Sequence, residues 1–383
     1  MKQEMISYLS TCSDDICKLC KYLYDNPENS YTEKKSSKYI MDFLSKYDFN
    51  VEDNFLDIST SFRATKGNGY PKICFLCEYD AVPGEGHLTG HNLLTATSIS
   101  AALALGKIID KIGGSLTILG CPGEYLGGTK SVMVRQGVFD DIDVVLIAHP
   151  DVVTSESGSS SAIIPLNVKF IGNSGLSFLN KREYTSLDGI LLTFNILNSL
   201  IKGFPEDVEV NSILSKGGST PLLLPLESEA KFYIRSKEMD IARIAENKLR
   251  ETVIYVSKLI RVPYSISLYE PENEELITNR VLNRLFSHNL KENGIINIDS
   301  PRDINAGLSL GVVSKIVPCI HPYFSIIEDN NINYGSKKFA EATISKHALN
   351  ECTKAALSLA FTGYDIITKD NLLIEVKNEF HKK

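Results

Sequence analysis

Ile73-Cys74-Phe75-Leu76-Cys77 is apolar without interruption. A strand with no polar alternation has both faces buried, which is the condition of the interior of a parallel sheet. Ser115 to Leu119 and Ile142 to Ala148 read as two further strands of that sheet. Helical patterns fall between and before them. Tyr39, Ile40, Phe43, Leu44 and Tyr47 recur at helical spacing behind Ser30-Tyr31-Thr32-Glu33, which reads as a capping box. Asn92 is placed to cap a long helix carrying Leu94, Ile99, Leu103 and Ile108, stopped by Gly113-Gly114. Thr129 to Gln136 reads as a short helix stopped by Gly137. This alternation predicts a doubly wound α/β sheet with right-handed crossovers. Ligands bind beyond the carboxyl ends of such strands. That directs attention to Glu78 to His91, Gly120 to Gly128, and His149-Pro150, which hold His87, His91, His149 and most of the reactive side chains of this half.

From about residue 163 the pattern changes. A strand (Ala162 to Phe170) leads to a helix (Ser186 to Ile201), then to strands Val208 to Leu214 and Ser228 to Ile234. A helix (Met239 to Lys258) and a strand (Val262 to Leu268) complete a split ferredoxin-like plan, with Gly217-Gly218 and Pro221 breaking its central hairpin. Mixed units then resume, with Ile316 to Pro318 strand-like and a final helix from about Lys346 to Ile367. The expected fold is therefore an α/β domain with a doubly wound, mostly parallel sheet formed by residues 1–161 and 271–383. A smaller ferredoxin-like α+β domain, residues 162–270, is inserted into it.

The net charge of −7, from 40 Lys and Arg against 47 Asp and Glu, argues against a nucleic-acid binder, since phosphate neutralisation needs a basic face. Met1 to Met5 has no apolar signal core, and no run approaches the ~18 apolar residues of a membrane span. A cytoplasmic protein is expected. Its eight cysteines include two Cys-x-x-Cys pairs, Cys17/Cys20 and Cys74/Cys77. Each pair falls in an apolar helix or strand pattern, so they read as reduced core thiols rather than a zinc quartet.

Several strings line up along the chain: Glu78-Tyr79-Asp80-Ala81-Val82-Pro83-Gly84, Gly86-His87-Leu88-Thr89-Gly90-His91-Asn92, Gly120-Cys121-Pro122-Gly123-Glu124-Tyr125 with Gly127-Gly128, Ala148-His149-Pro150, Phe232-Tyr233-Ile234-Arg235, His321-Pro322-Tyr323-Phe324 and Phe339-Ala340-Glu341-Ala342. In this order and spacing the chain resembles the zinc-dependent aminoacylase and carboxypeptidase family of amidohydrolases, closest to its dipeptidase and auxin-conjugate-hydrolase branch. The resemblance implies two-metal amide hydrolysis, with a glutamate as general base, a lid histidine on the oxyanion, and dimerisation through the lid.

Carried over residue by residue, the resemblance gives an unexpected result. The loop that bears Cys and His in the family reads Thr89 and His91, and the paired glutamates read Glu124 and Tyr125. The histidine after the third strand is His149, and the last ligand histidine falls on about Gly335. The lid histidine reads Leu176, the lid asparagine Leu222, and a further Asp and Asn read Ser309 and Val312. Zinc favours thiolate, imidazole and carboxylate, so Thr89 and Tyr125 are poor ligands. The loop glycines and Pro150 are kept while the chemistry-bearing groups are replaced. Glu124, Asp80 and Tyr125 are the catalytic candidates: Glu124 as base, Asp80 as orienter of a histidine, Tyr125 as a phenol donor or a filler of volume. Arg235, His91 and His149 are the substrate-binding candidates, with Arg235 matching an arginine associated with a substrate carboxylate. No cofactor is expected; His91 and His149 are the residual candidates for one zinc or manganese ion. Cys121 beside these histidines offers a Cys-His nucleophile or a buried thiol.

Three functions follow. The first is a non-hydrolytic pseudoenzyme that binds a small amide-like ligand in the interdomain cleft, or a partner protein. The second is a repurposed metal-independent enzyme that forms, transfers or cleaves an amide with Glu124 as base. The third is a metal-dependent amidohydrolase or dipeptidase. A homodimer through the lid is implied, with no nucleic acid and no membrane.

Overall fold

A computed structural model describes residues 1–180, 182–329 and 331–382. The chain divides into two compact units. The first comprises Met1–Ser159, Ile277–Asp303 and Val312–Lys383; the second comprises Ser160–Leu276 and Ile304–Gly311.

The first unit is built on a six-stranded sheet in the order Asn50–Asp53, Phe62–Gly67, Ser115–Gly120, Lys72–Cys77, Val144–Leu146, Cys319–Ile320. The last four strands run parallel. Lys72–Cys77 has a parallel neighbour on each side, and Ile73 to Cys77 are all fully buried, as an unbroken apolar run requires. The first two strands are antiparallel additions at one edge. They carry Glu52, Arg63 and Lys66, so a search for apolar runs passes over them.

Two expected helix starts are corrected. The helix Lys34–Lys46 follows Glu33 without a side-chain cap. Ser30 donates instead to Asp80 Oδ2 at 2.7 Å, and Glu33 accepts from the Tyr31 and Gly123 backbone N–H groups (2.9 Å each) and from the Thr60 hydroxyl (3.0 Å). The long buried helix is His91–Gly106, and Gly90, not Asn92, precedes it. Asn92 lies inside, donating to Thr343 Oγ1 at 2.9 Å and to Cys20 Sγ at 3.4 Å. That helix ends before Gly113-Gly114, which instead closes a separate turn, Ile109–Ile112.

The third strand is also shorter than expected. After Leu146 the chain enters a second sheet, ordered Asp299–Ile304, Ser155–Ser160, Tyr323–Ser325, His149–Asp151. His149–Asp151 runs parallel to Tyr323–Ser325, with Tyr323 opposite His149. The strand anticipated at Ile316 to Pro318 lies at Cys319–Ile320, and the last long helix is Lys346–Thr368.

The second unit has a four-stranded antiparallel sheet in the order Glu209–Lys216, Glu227–Ser236, Ala162–Ile171, Tyr264–Leu268. Its first strand thus lies between its third and fourth, the split plan expected. Ile164, Leu166, Val168 and Phe170, with Ala230, Phe232 and Ile234, bury one face against helices Ser186–Leu200 and Met239–Ile260. Thr185 and Asp188 form a reciprocal capping box at the first of these helices. Ile304–Gly311 joins this unit because Ala306 O accepts the Ser161 N–H at 3.0 Å.

Gly90 has φ +85, and a Cβ there would stand 2.8 Å from Pro150 Cγ. Gly84 has a similar φ of +74 but nothing within 4 Å of that position. Gly84→Ala is therefore expected to cost only backbone strain, about 1 kcal/mol. Gly90→Ala adds the clash and is expected to cost about 2–4 kcal/mol. Urea denaturation of the two variants checks the difference.

Candidate functional site

Five of the six site residues singled out in the sequence come together in the first unit, at the carboxyl ends of its parallel strands. Asp80 follows the strand Lys72–Cys77, Glu124 and Tyr125 follow Ser115–Gly120, His91 opens the buried helix, and His149 opens its own strand. The turn at Glu124–Leu126 is held by its backbone. Gly123 has φ +82, and a Cβ there would lie 2.5 Å from the Tyr31 ring. Its N–H donates to Glu33, and the Tyr125 N–H donates to Asp80 Oδ2 at 3.0 Å. Arg235 lies in the second unit, where Nη1 donates to Glu209 (3.3 Å) and Asn211 (3.4 Å). Leu176 and Leu222 are exposed beside the short ribbon that pairs Gly175–Leu176 with Leu223–Leu224.

The site contains a buried ammonium that sequence reasoning missed. Lys130 Nζ donates to Glu78 Oε1 at 2.7 Å and to Glu124 Oε1 at 2.6 Å, and its side chain is 0% exposed. Burial alone would lower the Lys130 pKa, but Glu124 and Glu78 outweigh it and keep the amine protonated. Burial alone would raise Glu78, but Lys130 and His91 hold it below the usual carboxylate range. One signal was available: Glu78 puts a further carboxylate beside Asp80 at a buried strand end, and such a group needs a cation. Nothing local in Thr129-Lys130-Ser131 identifies which.

His91 sits between two acids. Nδ1 is 2.8 Å from Asp80 Oδ1, and Nε2 is 3.7 Å from Glu78 Oε2. Burial opposes its charge, but the Asp80 hydrogen bond and the charges of Asp80, Glu78 and Glu124 raise it to about 9. The Tyr125 ring stacks on it at 4.8 Å. Asp80, accepting from His91, Ser30 and the Tyr125 N–H, is an anchor for all three.

His149 is the hub of a ring cluster. His91 (6.0 Å), His321 (5.4 Å), Tyr323 (6.0 Å) and Tyr334 (6.2 Å) surround it. His149 Nδ1–H donates to Pro150 O at 2.8 Å, so Nε2 is the acceptor. Burial and the His91 charge lower it to about 4, and burial and His149 lower His321 to about 3. His87 donates from Nε2 to Leu23 O at 3.0 Å and is lowered to about 4 by burial. Burial pushes the Cys121 thiol up to about 12, which removes the Cys-His nucleophile.

No family model matches the chain. Xaa-Arg dipeptidase of Mus musculus is 27% identical over 402 residues, covering 100% of this chain and 93% of the relative. One of the p-aminobenzoyl-glutamate hydrolase polypeptides of Escherichia coli is 32% identical over 254 residues, covering 58% of this chain and 53% of the relative. An aminobenzoyl-glutamate utilization protein from Klebsiella pneumoniae shares the fold with TM-score 0.73 at 13% identity, over 92% of this chain and 97% of that one. A Bacillus subtilis protein described as a dinuclear metal-binding peptidase gives TM-score 0.66 at 14% identity, over 92% and 99%. The chain belongs to the aminoacylase and carboxypeptidase family of amidohydrolases.

Three of the positions where the resemblance places metal ligands carry Thr89, Tyr125 and Gly335. Thr89 Oγ1 and the Tyr125 hydroxyl are hydrogen-bonded to each other. Gly335 has φ +75 and no side chain to offer, and the neighbouring Tyr334 ring packs near His149 instead. Among the described residues no three His, Cys, Asp or Glu side chains are grouped to hold an ion.

Two predictions follow from these charges. Lys130→Met strands Glu78 and Glu124 in a buried site and is expected to cost about 3–5 kcal/mol, partly recovered by adding Glu78→Gln. For His91, the folded pKa lies above the unfolded one. The stability it contributes is complete below 6.5 and is lost as the pH rises through about 9. Unfolding free energy measured from pH 6 to 9.5 should fall in the wild type and fall less in His91→Gln.

Proposed function

We propose that this chain is a non-hydrolysing member of its family, holding a small amide-like ligand at the His149 cluster. The hydrogen bond between Thr89 and Tyr125 carries the reading. These are the loop positions where the family resemblance places a thiolate and a carboxylate, and here their hydroxyls satisfy each other. Burial keeps the Tyr125 phenol protonated. The geometry also weighs against Glu124 as a metal-independent base, because it accepts from the Lys130 ammonium at 2.6 Å and an ion-paired carboxylate is weakly basic. Metal-dependent hydrolysis would need ligands that these side chains do not supply. Ligand binding is supported by the acceptor Nε2 of His149 and the tyrosine rings around it.

The relatives named for amide substrates supply the probes. With p-aminobenzoyl-glutamate or an Xaa-Arg dipeptide, plus added zinc or manganese, no chelator-sensitive hydrolysis is expected. Active enzymes turn over at about 1 per second or faster, so metal-dependent turnover near that rate would replace this reading with the hydrolase one.

We also infer a cytoplasmic homodimer. The eight free cysteines, seven of them buried, suit a reducing compartment. Glu209–Lys216 is an edge strand with Ile213 and Leu214 exposed, and a second copy of the same strand would continue the sheet by a two-fold contact. Sedimentation should give a dimer for the wild type and a monomer for Ile213→Lys.

A further inference from the structure

We propose that the cavity between the end of helix Ser13–Asp25 and helix Lys337–Ala342 is a second ligand site, and that it takes an organic ammonium compound with a short apolar stem. The cavity has a volume of about 570 Å³, within the range of small-molecule sites, and lies wholly in the first unit. None of Glu124, Tyr125, His91 and His149 lines it. The loop Ala81 to Gly86 forms a further wall; a Cβ at Gly84 or Gly86 would meet nothing within 4 Å, so that wall is open backbone. The charged lining sets three carboxylates, Asp25, Glu85 and Glu341, against one ammonium, Lys337. Lys337 lies 3.0 Å from Glu85 and is engaged there. Glu341 has no cation at ion-pair distance among the described residues. Tyr24 and Asp25 end a 13-residue helix, and the carboxyl end of a helix carries partial negative charge.

His87 also lines the cavity, and it is 1% exposed. Its Nε2–H donates to Leu23 O at 3.0 Å, so Nδ1 carries the lone pair. That lone pair has no hydrogen-bond partner among the described residues. A buried acceptor without a partner is costly, and a donor entering the cavity relieves it. The acceptor, the carboxylates and the helix end thus favour one kind of occupant, an N–H donor with positive charge. Burial and the charges of Glu341 and Asp25 raise the Tyr24 phenol, so both carboxylates act on that ring. A cation drawn to them lies beside an aromatic face, which adds cation–π attraction. Pro27, Val82 and Ala340 supply apolar lining for the stem. A metal ion fits less well, because among the described residues no three His, Cys, Asp or Glu side chains are grouped to hold one. An ammonium is a point charge with its own donors and can sit between carboxylates that are spread apart.

Calorimetric titration with phenethylamine and its neutral analogue, phenethyl alcohol, tests the assignment. At about pH 7 the amine is charged. The wild type should prefer it by about tenfold, the value of one charge-assisted contact. The preference should shrink as salt is raised. Glu341→Gln should remove most of it. Lys337→Ala releases Glu85 and should tighten amine binding by about threefold, the worth of one exposed ion pair, while leaving alcohol binding as it was. Both Glu341 and Lys337 are exposed, so neither substitution puts the fold at stake. Equal binding of amine and alcohol by the wild type, no binding of the amine, or a preference that survives Glu341→Gln overturns the proposal. So does an amine affinity that Lys337→Ala fails to raise.

Discussion

Asp80 has no solvent exposure and three donors, and the site is assembled around it. One oxygen takes the His91 imidazole; the other takes the Ser30 hydroxyl and the Tyr125 N–H. Those donors come from three segments far apart in sequence: the loop before Lys34, the start of the buried helix, and the turn after Ser115–Gly120. A buried carboxylate costs several kcal/mol if any donor is lost. Any arrangement of the three segments that fails to reach Asp80 is therefore disfavoured, and the geometry of the site is a condition of folding as much as of function. Glu33 repeats the device from the other side of the turn, joining Tyr31, Thr60 and Gly123.

Charge balance explains what fills the space between these anchors. Glu78 and Glu124 are held by Lys130, and Asp80 by His91, so each of these three acids has a cation drawn from the chain itself. Buried pairs of this kind add little net stability, but breaking one leaves a charge without water or partner. They therefore resist piecemeal change. Tyr125 and Thr89 show the other route open to a buried position, in which two neutral hydroxyls satisfy each other and need no ion.

The division between what was legible in the sequence and what was not follows the range of the interactions. Ile73 to Cys77 announced a central parallel strand because every residue of it is apolar. His91 and His149 were legible because their loops have fixed spacing. Lys130 and Tyr334 were not, since each acts through residues distant in the chain: Lys130 on Glu78, Tyr334 on His149. The capping box at Ser30 failed for the same reason. Ser30 and Glu33 are suitable capping residues, but buried partners elsewhere compete for them and win.

The same logic decides what the retained glycines mean. Gly90 is needed because Pro150 packs where its side chain would be, and Gly123 because the Tyr31 ring does. Both contacts belong to the packing of the first unit and would be required whether or not an amide bond is ever broken there. Loop shape at these two positions is thus tied to the packing of the unit. Thr89 and Tyr125 meet no such steric demand, and their hydroxyls bind each other instead.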